Sequence, residues 1–560
     1  MKNKIKHLAV VGLTLVAGAL ASCQLGNQED TTITTLDIMV FQGTGGSDWI
    51  KEAGKRFSEL HKETSFQEGR KGIKFKVNSK KGVDFLTEMK TSAYDLYNYE
   101  TYPDIYRFSK QESVLDISDV VEPLVSKIEP DLLERLKGAD GKYYALPHYE
   151  WFPGISYDKD LFDEQMLYFA DPSAANEDVE THTCKYGTGK FVVATDVTKS
   201  VGPNGVRGDY DDGLPSSLEE LCVLFDKMQT VGISPLLLCG SGHYYSWYLP
   251  LALWASLTGG DGMRDVYCNW TNEQVDVIKS FSTESAFFAD SGIQKPATEK
   301  KVLNDDNGYE MYNTAARYYA LAFCQMAYDN QWIDKDMIGD PNGSSYQAQE
   351  WFVNGHNGTR YGTLWDGSYW CHEAINSFKT YKNANPSSPD RHVAFMPLPT
   401  QLEGQVQEGQ GKKPTLLNVG STLTFAHART ATNGKEKAVK EFLKFIYSDS
   451  ELAAFSESTG LTVPMDYEYD MSGLNNSYYN DLAALRADAE VIQCSSASER
   501  FKKNLSSFIL SYSMKPSTYK IDSGSYTGGY LSAWKKDGTT AKAILEATNW
   551  TKDVWNGMAL

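Results

Sequence analysis

Between Pro147 and Pro153 the chain carries His148, Tyr149, Glu150, Trp151 and Phe152, four flat rings around one carboxylate. Such a group either plugs a core or meets a ligand with apolar faces and polar edges, the rings covering the faces and the charged groups taking the edges. Rings recur beside polar groups at Asp48-Trp49, at Tyr245 and Trp247, and at Asp366, Tyr369 and Trp370. Bond-making chemistry has no comparable signal. G-x-S-x-G and H-E-x-x-H are both absent. The stretch Gln42 to Ser47 is Gly-rich but has neither the P-loop nor the dinucleotide spacing, and Asp209-Tyr210-Asp211-Asp212-Gly213 lacks the EF-hand spacing and reads as a solvated turn. Beyond Cys23 the cysteines are Cys184, Cys222, Cys239, Cys268, Cys324, Cys371 and Cys494, an odd number with no C-x-x-C pair, which argues against a disulfide framework and against a zinc site. No catalytic residue, cofactor or metal is expected. The 73 acidic residues do leave open the paired carboxylates of a glycoside hydrolase.

The elements that must position these residues follow from pattern. Asp140-Gly141 is a turn dipeptide, Tyr143 to Leu146 an aromatic and aliphatic run, and Ile155 to Tyr157 a second extended run, so the ring cluster lies on irregular chain between two strand pieces. Leu36 to Phe41 reads as a strand, followed by the Gly-rich loop and a helical pattern through Trp49, Ala53 and Phe57. Loops at the carboxyl ends of strands line the crevice of an open α/β sheet, which makes Asp48 and Trp49 site candidates. Ile73 to Val77 is a strand and Asp84 to Lys90 a helix; Pro103-Asp104-Ile105 is expected to enter a short strand, with Arg107 and Ser109 just past its end. This alternation predicts a mostly parallel sheet. Asp163 to Asp212 is rich in Gly, Asp, Asn and Thr, with one β-like run at Phe191 to Ala194. A connection of that length is a flap or an insertion. Ser216 with Glu219 predicts a capping box for a helix whose apolar face is Leu218, Leu221, Cys222, Phe225 and Met228, stopping at Gly232 before a buried strand, Ile233 to Cys239. His243 to Tyr248 opens a helix that is aromatic in its first turn and aliphatic to Leu257. Glu436 to Ile446 is a helix by its Val439, Phe442, Leu443 and Ile446 stripe.

Several of these segments carry a resemblance. They are Asp140-Gly141-Lys142 through Pro147 followed by Tyr157-Asp158-Lys159-Asp160-Leu161-Phe162; Pro103-Asp104-Ile105 and Leu115-Asp116-Ile117; Leu214 to Leu221 with Gly232-Ile233-Ser234-Pro235; Asp329 to Ile333; Phe352 to Trp370; and Ala438 to Ile446 with Gly460-Leu461-Thr462-Val463-Pro464. In this order, from Leu36 to Pro464, they resemble family 1 of the extracellular solute-binding proteins that feed sugar ABC transporters, the family that includes maltose-binding protein. Ser216-Ser217-Leu218 replaces that family's usual Thr-Trp, and Tyr369 with Trp370 stands where it has one tryptophan. The resemblance implies an α/β, type II periplasmic-binding-protein fold, two lobes with mixed, mostly parallel sheets joined by hinge crossings. Lobe 1 would be 36–147 with 412–462; lobe 2 would be 148–411 with 463–560, with 163–212 inserted. It also implies that His148, Glu150 and Trp151 line a sugar cleft with Tyr245, Trp247, Asp366, Tyr369 and Trp370 from lobe 2 and Asp48, Trp49, Arg107 and Ser109 from lobe 1.

Lys2, Lys4 and Lys6 precede an apolar run, Leu8 to Leu20, that is too short to span a bilayer of roughly 30 Å. Leu20-Ala21-Ser22-Cys23 looks like a bacterial lipobox, so 1–22 is expected to be removed, Cys23 acylated as a membrane anchor and 23–35 to act as a polar tether. A net charge of −19 without a basic patch argues against nucleic acid. Some 530 residues beyond the leader exceed a single core. The expected function is a monomeric, lipid-anchored component on the outer face of a bacterial cell membrane, capturing a carbohydrate by hinge closure and passing it to permease subunits. The alternatives are a lipid-anchored glycoside hydrolase and a surface glycan-binding lipoprotein without a transport role.

Overall fold

The computed structural model describes residues 31–80, 85–91, 94–99, 103–238, 246–286, 291–339, 343–402, 412–420, 422–474, 477–512, 519–521, 524–526 and 539–558. Two sheets organise the described residues. In the first, the strand order is Ile73–Lys80, Thr34–Phe41, Leu96–Tyr99, Leu423–Ala426, Ala145–Pro147. The first three are parallel, as expected of β-α-β units, and Leu423–Ala426 runs against both of its neighbours. The second sheet has the order Val393–Met396, Pro153–Asp158, Tyr361–Gly367, Ser234–Leu238. Only Tyr361–Gly367 with Ser234–Leu238 is parallel there; Pro153–Asp158, which arrives directly from the first sheet, is antiparallel to both partners. The sheets are thus mixed because the strands that begin or end a crossing enter against the local direction. A separate parallel pair, Thr415–Asn418 with Glu490–Gln493, packs on the helix Tyr248–Thr258.

Helix positions follow the apolar spacing. In Glu436–Ile446 the residues Ala438, Val439, Phe442, Leu443 and Ile446 are buried, and Phe442 meets Phe75 and Phe57 with ring centroids 4.4 and 5.2 Å apart. Full burial of that one ring is worth about 1.5–3 kcal/mol. Tyr248–Thr258 is apolar all round and accordingly buried on nearly every face, against the helix Ala315–Asp329 and the strand Thr415–Asn418. The helix Leu218–Thr230 does carry a capping box, one residue later than expected: Ser217 accepts from the Glu220 N–H while Glu220 reaches back to the Ser217 N–H. Leu218 starts the helix, so its cap is the serine directly before it.

One element differs in kind. Pro103-Asp104-Ile105 leads into a helix, Ile105–Lys110, because the Asp104 carboxylate accepts the Arg107 N–H at 3.0 Å and caps it. The long segment after Phe162 is built around an antiparallel hairpin, Val179–Cys184 with Gly187–Val192, packed against Leu218–Thr230. Among the described residues no helix is long and apolar enough to cross a membrane.

Candidate functional site

Three stretches of chain lie side by side at the junction of the two sheets: His148 to Phe152, which joins the sheets, and those that carry Thr422 and Thr462. The first, His148 to Phe152, lies in the middle. Its His148 N–H donates to Thr422 O and its Glu150 N–H to Thr462 O, both at 2.9 Å. Pro147 is the last rung of the first sheet and Pro153 the first of the second, so the ring cluster occupies the whole crossing. Glu150 locks these strands of the junction. Its carboxylate, with no solvent exposure, accepts from Thr462 Oγ1 at 2.8 Å and from Arg486 Nε and Nη2, and Arg486 also reaches Glu129 at 3.2 Å. Burial alone would lower the Arg486 pKa; the two carboxylates, Glu150 first, outweigh it and raise it. Glu150 is therefore committed to fastening the crossings together.

Trp151 is the centre of a ring group contributed by the start of the helix Tyr248–Thr258 and by the chain just past the strand Tyr361–Gly367. Its centroid lies 5.1 Å from Tyr248 and 5.2 Å from Tyr369, whose hydroxyls are 3.3 Å apart, and Trp247 stands edge-on to Tyr248 at 4.5 Å. Two glycines permit this packing. A Cβ at Gly420 would fall 2.7 Å from Trp151 Cδ1, and one at Gly367 would fall 2.4 Å from Tyr369 Cε1. Across from these rings Trp49, in the helix after Thr34–Phe41, lies tilted against His148 at 4.6 Å and edge-on to Phe455 at 5.2 Å. Trp49 and Trp247 are half-buried, while Trp151 and Tyr369 are 3% and 5% exposed.

A polar edge runs alongside the rings. The Thr44 N–H, in the loop after Thr34–Phe41, donates to Glu373 at 3.2 Å, which ties the loop to the end of the short helix Trp370–Glu373 on the other side. Gln349 Nε2 bridges Glu373 at 3.0 Å and Asp366 at 3.1 Å. Asp366, at the carboxyl end of Tyr361–Gly367, also accepts the Gly367 N–H at 2.7 Å. Burial, and then the Glu373 charge, push its pKa up to about 8, so it holds a proton at neutral pH. His148 is buried, and burial pushes its pKa down to about 3; its Nε2 has no hydrogen-bond partner among the described residues.

The structure thus brings Trp49, His148, Glu150, Trp151, Trp247, Asp366 and Tyr369 to the junction. Four expected residues stand elsewhere. Asp48 is at the first turn of its helix, exposed and paired with Lys51 at 2.9 Å. Arg107 is exposed on the Ile105–Lys110 helix, and Ser109 accepts the Ala139 N–H at 2.8 Å within lobe 1; both positions follow from that segment being a helix and not a strand. Trp370 is wholly buried among Phe352, Phe378 and Tyr478, with its indole N–H on Ser156 Oγ at 2.7 Å, so it belongs to the core beside the second sheet. Tyr245 lies outside the described residues. Tyr248, Gln349 and Glu373 join the site without having been singled out. Tyr248 was within reach as the next ring of an aromatic helix start, whereas nothing in the local pattern marks Gln349 or Glu373.

No family model and no curated protein matches the chain. Solved structures do match over nearly its whole length. A chitin oligosaccharide binding protein aligns with 94% of this chain and 99% of its own at 13% identity and a TM-score of 0.56. MalE3 of T. maritima with maltose bound gives 93%, 99%, 12% and 0.53. RafE, known from Streptococcus pneumoniae, in complex with raffinose gives 92%, 98%, 13% and 0.51. All three are binding proteins, and at such identity the likeness is one of fold. The chain has the two-lobed α/β, type II periplasmic-binding-protein fold found in sugar-binding solute-binding proteins.

Proposed function

We propose that this chain captures a carbohydrate, an oligosaccharide foremost, between its two lobes and hands it to the permease subunits of an ABC importer. The observation that carries the reading is the ring group around Trp151, edged by Asp366, Gln349 and Glu373, at the junction where the three crossings lie side by side. Sugars match such a surface because their C–H faces lie on rings while carboxyl and amide groups take the hydroxyls in plane. In this reading Trp49, Trp151, Trp247, Tyr369 and the half-buried Glu373 serve the ligand, Asp366 holds Gln349 in place beside them, Glu150 and His148 support the crossing, and lobes 36–147 with 412–462 and 148–411 with 463–560 close on the sugar. Acylated Cys23 holds the protein, as a monomer, at the outer face of the membrane. A micromolar ligand requires about −8 kcal/mol, within reach of several stacked rings and charged hydrogen bonds.

The protein is expected to have no enzymatic activity. A hydrolase would draw on the Asp366 and Glu373 pair, one carboxyl protonated beside another. Asp366, however, is buried behind the strand end with both oxygens bonded. Calorimetry against a panel of linear and branched oligosaccharides tests the reading. Saturable binding with the sugar recovered intact supports it; release of reducing ends, or no binding across the panel, overturns it.

A further inference from the structure

Away from the junction, the hairpin in the 163–212 segment and the helix behind it assemble a second set of chemically distinct side chains. Alternate residues of a strand share a face, so His182 and Cys184 of Val179–Cys184 lie on one face, and that hairpin packs on Leu218–Thr230, which carries Asp226. His182 Nε2 and Asp226 Oδ2 are 2.8 Å apart, and one donor atom from each of His182, Cys184 and Asp226 lies within 4.8 Å of the other two. All three side chains are half-buried.

Cys184 opens the turn Cys184-Lys185-Tyr186-Gly187, and the backbone N–H groups of Tyr186 and Gly187 are directed at its sulfur. Gly187 completes this turn at φ +136°, a region that favours glycine. Burial first, and the Asp226 carboxylate with it, outweigh those two N–H groups and raise the thiol above its ordinary value, so an ion bound here displaces the thiol proton. The other described cysteines, Cys222, Cys268, Cys324, Cys371 and Cys494, are all buried.

We propose that His182, Cys184 and Asp226 form a three-ligand site for a borderline divalent transition-metal ion, Zn²⁺ foremost, with the fourth position open to water. One nitrogen, one thiolate and one carboxylate suit zinc, whereas Ca²⁺ and Mg²⁺ take oxygen ligands. The ion fastens the hairpin to the helix of lobe 2, alongside the Lys227 to Glu180 ion pair that joins the same two elements. The inference runs against the sequence expectation of no zinc site, which rested on cysteine spacing alone. It is independent of what the junction binds.

The test uses the full chain from residue 24 onward, freed of metal and titrated with Co²⁺ and then Zn²⁺. The expected result is one equivalent of Co²⁺ with a thiolate-to-cobalt charge-transfer band, displaced by Zn²⁺. That band should be lost in Cys184→Ser and kept in Cys222→Ser, and Asp226→Asn should weaken zinc binding by more than about tenfold. Circular dichroism checks that each variant is folded, and zinc should protect Cys184 from alkylation in the parent chain. No charge-transfer band, or a band that survives Cys184→Ser, overturns the proposal.

Discussion

Arg486→Met tests whether Glu150 is a fastener of the crossings. The substitution keeps most of the side-chain volume and removes the charge. Glu150 then keeps only the Thr462 hydroxyl, with its carboxylate still sealed from solvent. Leaving one member of a buried ion pair without its partner costs about 3–5 kcal/mol. The effect should be local first, because the amides of His148 and Glu150 are themselves the rungs that join the three crossings. Hydrogen exchange reads it directly: protection at those two amides should fall by about two to three and a half decades, while amides of the helix Glu436–Ile446 change far less. Glu150→Gln in the same chain removes the stranded charge, so the double variant should recover most of the lost protection. A fall of less than about tenfold in Arg486→Met, or a double variant no better than the single one, refutes the fastening role.

The remaining predictions concern rings and titration. Trp247→Ala, at a half-buried ring, should weaken sugar binding by at least about tenfold with little loss of stability, whereas Trp370→Ala should cost about 3–5 kcal/mol of stability by opening a cavity; calorimetry and denaturant unfolding separate the two. Asp366 has a folded pKa of about 8, above its unfolded value of 3.8, so the native state binds the extra proton and this residue's contribution falls as pH rises from about 4 to about 8. Asp366→Asn should flatten that part of the stability profile, measured as the difference from the parent chain. His148 has a folded pKa of about 3 against an ordinary 6.5. Its contribution is present above pH 6.5 and lost as pH falls toward 3, and His148→Phe should remove that acid-side slope.

Much of the fold was legible because its signals are local. The stripe of Glu436–Ile446, the Gly232 stop with φ +80° and the proline-bounded crossing each depend on a few neighbouring residues. Errors arose where one local signal stood for two outcomes. Pro103-Asp104 fits a strand entry as well as a helix cap, and the side chain settles it by accepting the Arg107 N–H. Trp370 sits beside Tyr369 in sequence, yet they face opposite ways, Tyr369 toward Trp151 and Trp370 into the Phe352 core. What pairing within the fold decides was not legible at all. Arg486 is 336 residues from Glu150, Glu373 is 329 from Thr44, and Asp226 is 44 from His182. Each was one charged residue among many until the chain brought it to its partner.

Closure of the lobes on a sugar is the central claim, and the distance across the gap measures it most directly. Spin labels at Glu52 and Ile375, exposed positions on the two helices that flank the Thr44 to Glu373 contact, report that distance in a Cys184→Ser background. A broad, long distribution without ligand that narrows to one short distance with a bound oligosaccharide is the predicted result. A distribution that is the same with and without a sugar shown by calorimetry to bind contradicts the account.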